Sequence, residues 1–169
     1  PKDTDTFDPT GLQELARTLD RLVREAHRQW QDCADDVRAL LASGQLNGNR
    51  YPRARIPVWC EEFGAALAAA AAGLPLNCDH LVRFSARRLK ESTNGTGITP
   101  QHPFFDFCDG LHDADTALRE ECARQARALQ FALTLHVVEA VEERHAAANT
   151  QSFDDLLYRL RDALETDTE

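Results

Sequence analysis

Methionine is missing from the chain, lysine occurs only at Lys2 and Lys90, and no apolar run comes near the roughly 20 residues that a membrane-crossing helix needs. Without an initiator, the sequence is expected to be an excised piece of a longer polypeptide. The start is acidic and polar where a leader would be basic and then apolar, so a soluble cytoplasmic protein with no membrane partner is expected. Glycine is sparse and never forms a phosphate-cradling loop: Gly44 and Gly48 precede Asn49-Arg50, where Gly-Lys-Ser or Gly-Lys-Thr would be required. This stretch should therefore hydrolyse no nucleotide.

Metal and nucleophilic chemistry are equally unsupported. The five cysteines, Cys33, Cys60, Cys78, Cys108 and Cys122, are odd in number and contain no Cys-x-x-Cys pair, which favours reduced thiols over a disulfide framework. Cys33 and Cys122 fall on apolar helical stripes and are expected to serve as small core residues. His27, His80, His102, His112, His136 and His145 make no i, i+4 pair with one another. Cys108 and His112 do stand four apart, but no third ligand is marked by spacing, so no metal site is expected. No glycine-flanked nucleophile elbow accompanies any serine, so no catalytic residue is assigned.

What the chain does have is helical periodicity. From Pro9, Leu12, Leu15, Leu19, Leu22, Ala26, Trp30, Cys33, Val37, Leu40 and Leu41 keep to one face, which predicts a helix running to Ser43. Gly44 and Asn47-Gly48-Asn49 stop it, and Pro52 and Pro57 keep Tyr51 to Ile56 out of the helical region. Pro57 suits the first turn of a second helix that packs through Trp59, Phe63, Leu67 and Ala70 and ends before Gly73-Leu74-Pro75. Its alanine run, Ala65 to Ala72, should let a neighbouring helix approach closely. Asp79 is expected to cap a third helix through Leu81, Phe84 and Leu89; Pro103 opens a fourth through Phe104, Phe107, Cys108 and Leu111. Asp113 or Asp115 should cap a fifth, with Leu118, Cys122, Ala126, Leu129, Leu133, His136 or Val137, and Val141 as its stripe. Ser152 should cap a sixth that packs through Phe153, Leu156, Leu157, Leu160 and Leu164. No period-two alternation predicts a strand. The expected fold is all-α: one subdomain over residues 1–169, a helical bundle with two long antiparallel helices and a shorter helical cap.

Charge is distributed unevenly along this chain of net charge −9. Residues 1–43 sum to −3 and residues 106–169 to −9, whereas residues 44–105 carry seven cations against four carboxylates, a sum of +3. Those cations form two clusters: Arg50, Arg53 and Arg55 in the proline-stiffened loop, then Arg83, Arg87, Arg88 and Lys90. Guanidinium forks match phosphate oxygens, a stiff loop loses less entropy on ordering, and Tyr51 offers a ring for stacking on sugar or base. These eight residues are the candidate nucleic-acid contacts. The acidic runs Glu120-Glu121, Glu142-Glu143 and Asp154-Asp155 suit the solvated side of long helices.

Several strings, in order, resemble one family. Phe153-Asp154-Asp155-Leu156-Leu157 is similar to the segment by which UvrD/RecB-type helicases return from the helical insertion called 1B to the first motor domain. Thr99-Pro100-Gln101-His102-Pro103-Phe104-Phe105 resembles a Thr-Pro-x-His-Pro pattern of the beta subunits of RecBCD-type helicase-nucleases (exodeoxyribonuclease V). Gln29-Trp30-Gln31-Asp32, Arg50-Tyr51-Pro52-Arg53, Val58-Trp59 and Phe84-Ser85-Ala86-Arg87 follow the order of those subunits, so the resemblance covers most of the chain.

The resemblance implies a 1B-like accessory subdomain, with residues 152–165 leading back to the motor, cut from an ATP-dependent helicase and nuclease of double-strand break repair and recombination. It implies that ATP and magnesium belong to the parent enzyme and not to this piece. The implied partners are the duplex backbone ahead of the fork, the remaining motor domains of the same chain, and RecC-like and RecD-like subunits. The competing expectation is a helical protein–protein interaction module with no nucleic-acid contact.

Overall fold

A computed structural model describes residues 9–148 and 153–166 of the chain. They form α1 (Pro9–Ala42), α2 (Ile56–Ala71), a 3-10 turn at Leu81–Phe84, α3 (Ala86–Ser92), α4 (Pro103–Ala147) and α5 (Phe153–Thr166). Among the described residues there is no strand, only an isolated bridge between Leu46 and Thr93. The fold is an all-α bundle with two long helices, as the periodicity predicts. Contacts divide it into two compact units, Asp8–Ala123 and the chain from Arg124 onward.

The first unit holds the core. Leu19, Val23, Ala26, Trp30, Val37 and Leu41 of α1 are buried against Trp59, Phe63, Leu67 and Ala70 of α2. At the centre, the Trp30 ring lies 5.0 Å from Phe63, 5.6 Å from Phe84 and 5.5 Å from Phe104, and Phe63 stacks on Phe84 at 4.2 Å. Each such pair contributes about 0.5–1.5 kcal/mol beyond the area it buries. Gly64 makes this closeness possible, because a Cβ there would stand 2.6 Å from Nε1 of Trp30. Phe104 meets Trp30, and Leu118 shares a groove with Leu19 and Val23, so α1 and the first part of α4 run antiparallel.

Three helix boundaries differ from the sequence reading. Asp79 caps nothing: Leu81–Phe84 is a 3-10 turn, and α3 is capped by Ser85, whose Oγ accepts from the Arg88 amide at 3.2 Å. The expected fourth and fifth helices are one. Asp113 accepts from Arg87 and Asp115 from Arg119 four residues on, so neither carboxylate competes for a backbone amide, and Gly110 alone does not break the helix. Cys122 is exposed, whereas Cys60 and Cys108 are buried; all five thiols are unpaired. Burial pushes the thiols of Cys33, Cys60, Cys78 and Cys108 up, which keeps them protonated and unreactive at neutral pH.

In the second unit the predicted stripe is not buried. Leu129, Leu133, Val137 and Val141 stay 44–59% exposed, together with Phe131, Leu135 and Val138. These residues fall at two-residue as well as four-residue steps, which spreads apolar surface around the helix and gives it no single face to bury. On α5, Leu156, Leu157 and Leu160 are likewise about half exposed. The expected cap at Ser152 lies outside the described residues, as do the side chains of Phe153, Asp154, Asp155 and Leu164.

Candidate nucleic-acid interface

The loop after α1 owes its shape to a few short-range bonds. Gly44 turns the chain with a φ of 84°, a region costly for any residue with a Cβ. Asn47 folds the next turn: its carbonyl accepts from the Arg50 and Tyr51 amides at 2.9 and 2.8 Å, and its side-chain oxygen accepts from the Asn49 amide at 2.9 Å. The turn is joined to the segment after α3, where the Asn47 amide donates to the Ser92 carbonyl at 2.8 Å and the Asn94 amide donates to the Gln45 carbonyl at 2.9 Å. Two cationic stretches separated by some thirty residues of sequence are thereby fastened together.

Side chains complete the clamp. Tyr51 is buried, its ring set edge-on to Trp59 at 5.9 Å and its hydroxyl donating to the Arg83 carbonyl at 2.9 Å. The Arg83 guanidinium lies over the Trp59 ring at 4.2 Å and donates to the Arg50 carbonyl at 3.1 Å. Arg50 in turn donates to the Glu91 carbonyl at 3.0 Å. Burial pushes the Tyr51 phenol up to about 12, against the opposing pull of Arg88, Arg83, the Ser92 hydroxyl and Arg50.

The eight residues singled out in the sequence therefore divide by environment. Arg50, Arg53, Arg55 and Lys90 are exposed, and none of them pairs with a carboxylate among the described residues. Arg53 lies against Gly44 and Arg55 precedes the first turn of α2. Arg83, half-buried between Trp59 and the Arg50 backbone, acts as a brace. Tyr51, with 3% of its surface exposed, has no face left for a base, and its part is to hold the loop. Arg87 is paired with Asp109 at 3.2 Å and Asp113 at 2.6 Å, and Arg88 with Glu91 at 3.1 Å, so an incoming anion would compete with carboxylates for both.

Sequence reasoning missed the brace. Nothing in the spacing of Trp59 and Arg83 announces a cation over an indole ring, since the contact depends on how the 3-10 turn is laid against α2. Among the described residues no three His, Cys, Asp or Glu side chains gather as a metal site would need, and no helix is long and apolar enough to cross a membrane.

Comparison with known proteins adds a direction to this geometry. No protein-family model matches the chain. Over 168 residues, 99% of its length, the chain is 26% identical to the RecBCD enzyme subunit RecB of Escherichia coli strain K12, and the match spans 13% of that subunit. This stretch is thus similar, from end to end, to a small part of a much longer relative.

Proposed function

We propose that the chain is an accessory, DNA-contacting subdomain of a RecB-like ATP-dependent helicase and exodeoxyribonuclease V beta subunit acting in double-strand break repair. Its own work is to grip the phosphodiester backbone of the duplex ahead of the fork without reading sequence, as a translocating enzyme requires. ATP hydrolysis, magnesium and nuclease chemistry belong to the parent polypeptide, which would operate with RecC-like and RecD-like subunits. The observation that carries this reading is the fastening of the Arg50–Arg55 loop to the segment around Arg83 and Lys90, which gathers exposed cations on a chain that is otherwise anionic. Similarity to RecB supplies the enzyme context.

Salt tests it. A surface that neutralises three to five phosphates should lose affinity with a log–log salt slope of about −3 to −5, since each neutralised phosphate contributes about 0.9. Fluorescence anisotropy of the purified chain with a labelled blunt duplex, repeated over a range of salt, should return that slope with no preference among sequences. Binding that ignores salt, or no binding at low salt, would count against it.

A second reading is favoured by the exposed leucines and valines of α4 beyond Arg124 and of α5. Exposed apolar side chains in this number mark a protein contact, and on this reading the chain is a helical interaction module and its arginines are ordinary surface. An absence of DNA binding combined with capture of RecC-like or motor-domain protein would select it.

A further inference from the structure

The Thr99-Pro100-Gln101-His102 segment contributes nothing to the arginine surface, yet it walls a recess of mixed polarity in the first unit. Ala86 and Lys90 of α3, Thr99 to His102, and Phe105 and Asp106 of α4 enclose about 480 Å³, within the range of pockets that hold small organic groups. The apolar part of the lining is the half-buried Ala86, backed by Pro100 and Phe105, which are buried. The polar part is mixed in character: the Lys90 ammonium, the Gln101 carboxamide, the Asp106 carboxylate and the His102 ring. Nδ1 of His102 accepts the Phe104 amide at 3.1 Å, so in the neutral ring the proton sits on Nε2, which is left as a donor.

The recess is stiff. Thr99 is tied to Thr93 through their hydroxyls at 2.9 Å, Thr93 bonds the Leu89 carbonyl at 2.8 Å, and the Ile98 amide bonds the Gln45 side chain at 3.0 Å. These ties join it to the loop that carries Arg50. Lys90 also stands next to Glu91, whose carbonyl receives the Arg50 guanidinium.

A bare phosphate fits this lining poorly, because Asp106 would repel it. A nucleobase fits better: its amino or imino hydrogens suit the carboxylate and the Gln101 oxygen, its ring acceptors suit the Gln101 amide, and its ring carbons suit Ala86, the half-buried part of the apolar wall. The attached phosphate would meet Lys90 and the His102 Nε2–H. We propose that this recess receives a single unpaired nucleotide, its base inside and its phosphate at the Lys90 edge, so that the subdomain holds one frayed base beside a gripped duplex. The inference rests on the DNA reading above for its setting.

Anisotropy with the 169-residue chain and three labelled ligands tests it: a blunt duplex, the same duplex with a short unpaired overhang, and that overhang with its bases removed. The intact overhang should bind about fivefold more tightly than the other two, the yield of one or two hydrogen bonds with a buried base. Gln101→Ala and Ala86→Leu, neither of which alters charge, should each erase that gain and leave blunt-duplex binding unchanged. Equal affinity for all three ligands, or a gain that survives both variants, overturns the proposal. If no duplex binds at all, the DNA reading fails first; deoxynucleoside monophosphates added to the chain should still move the His102 ring resonances, and the absence of any such shift would end the recess proposal as well.

Discussion

At the scale of single residues, burial decides role more than identity does. Tyr51 sits in a loop of arginines and carries a ring suited to stacking, yet it faces inward, where its hydroxyl holds the Arg83 carbonyl. Tyr51→Phe should cost about 1 kcal/mol, the net worth of one such bond. The loss should depend on pH. The folded phenol is pushed up to about 12 from an ordinary 10.0, so the neutral hydroxyl contributes its full stability below pH 10 and loses it as pH rises toward 12. Urea unfolding of both proteins should show the variant less stable at neutral pH and the gap closing across that window. A gap that widened instead would mean the phenol is not desolvated.

At the scale of elements, the same residue type takes opposite signs on different helices. Gly64 faces Trp30 across the α1–α2 contact, where a Cβ would lie 2.6 Å from Nε1, and the indole is hemmed by three phenylalanine rings and has no room to yield. Gly64→Ala should therefore destabilise by about 1–3 kcal/mol, the cost of overpacking exceeding the gain in helix propensity. Gly110 of α4 has nothing within 4 Å of its would-be Cβ, so Gly110→Ala should stabilise by about 0.5–1 kcal/mol. Denaturant midpoints of the two variants, measured side by side, check both signs. Helix existence was legible from three- and four-residue spacing, as in Leu19, Leu22, Ala26, Trp30, Cys33 and Val37, because burial of one face imposes that period. Boundaries were less so. Asp113 and Asp115 look like caps until their carboxylates are seen to pair with Arg87 and Arg119, and Asp79 looks like a cap although Ser85 does the work. In the candidate site, the two cationic clusters could be read from composition, and the pairing of Arg88 with Glu91 three residues on is local, but the answered charge of Arg87 and the inward turn of Tyr51 depend on partners 22 to 32 residues away, which no local pattern encodes.

At the scale of the whole molecule, the question is whether a net charge of −9 can coexist with a hold on DNA. Screening makes it possible: at physiological salt the Debye length is about 8 Å, so charges beyond the contact surface are largely muted and local density governs. The Arg50–Arg55 loop supplies that density from three exposed guanidinium groups, with Lys90 nearby. If net charge were what mattered, any three reversals would be equivalent. Two triple variants separate these cases: Arg50→Glu with Arg53→Glu and Arg55→Glu, and, on the exposed side of α1, Arg17→Glu with Arg21→Glu and Arg24→Glu. Both change net charge by the same amount. The loop triple should lower duplex affinity by at least about tenfold and flatten the salt slope by about three counterions, while the α1 triple should leave the slope untouched and shift affinity little. Circular dichroism should show both variants fully helical, since none of the six side chains is buried. Equal losses from the two triples would return the interaction to non-specific attraction and remove the loop from the interface.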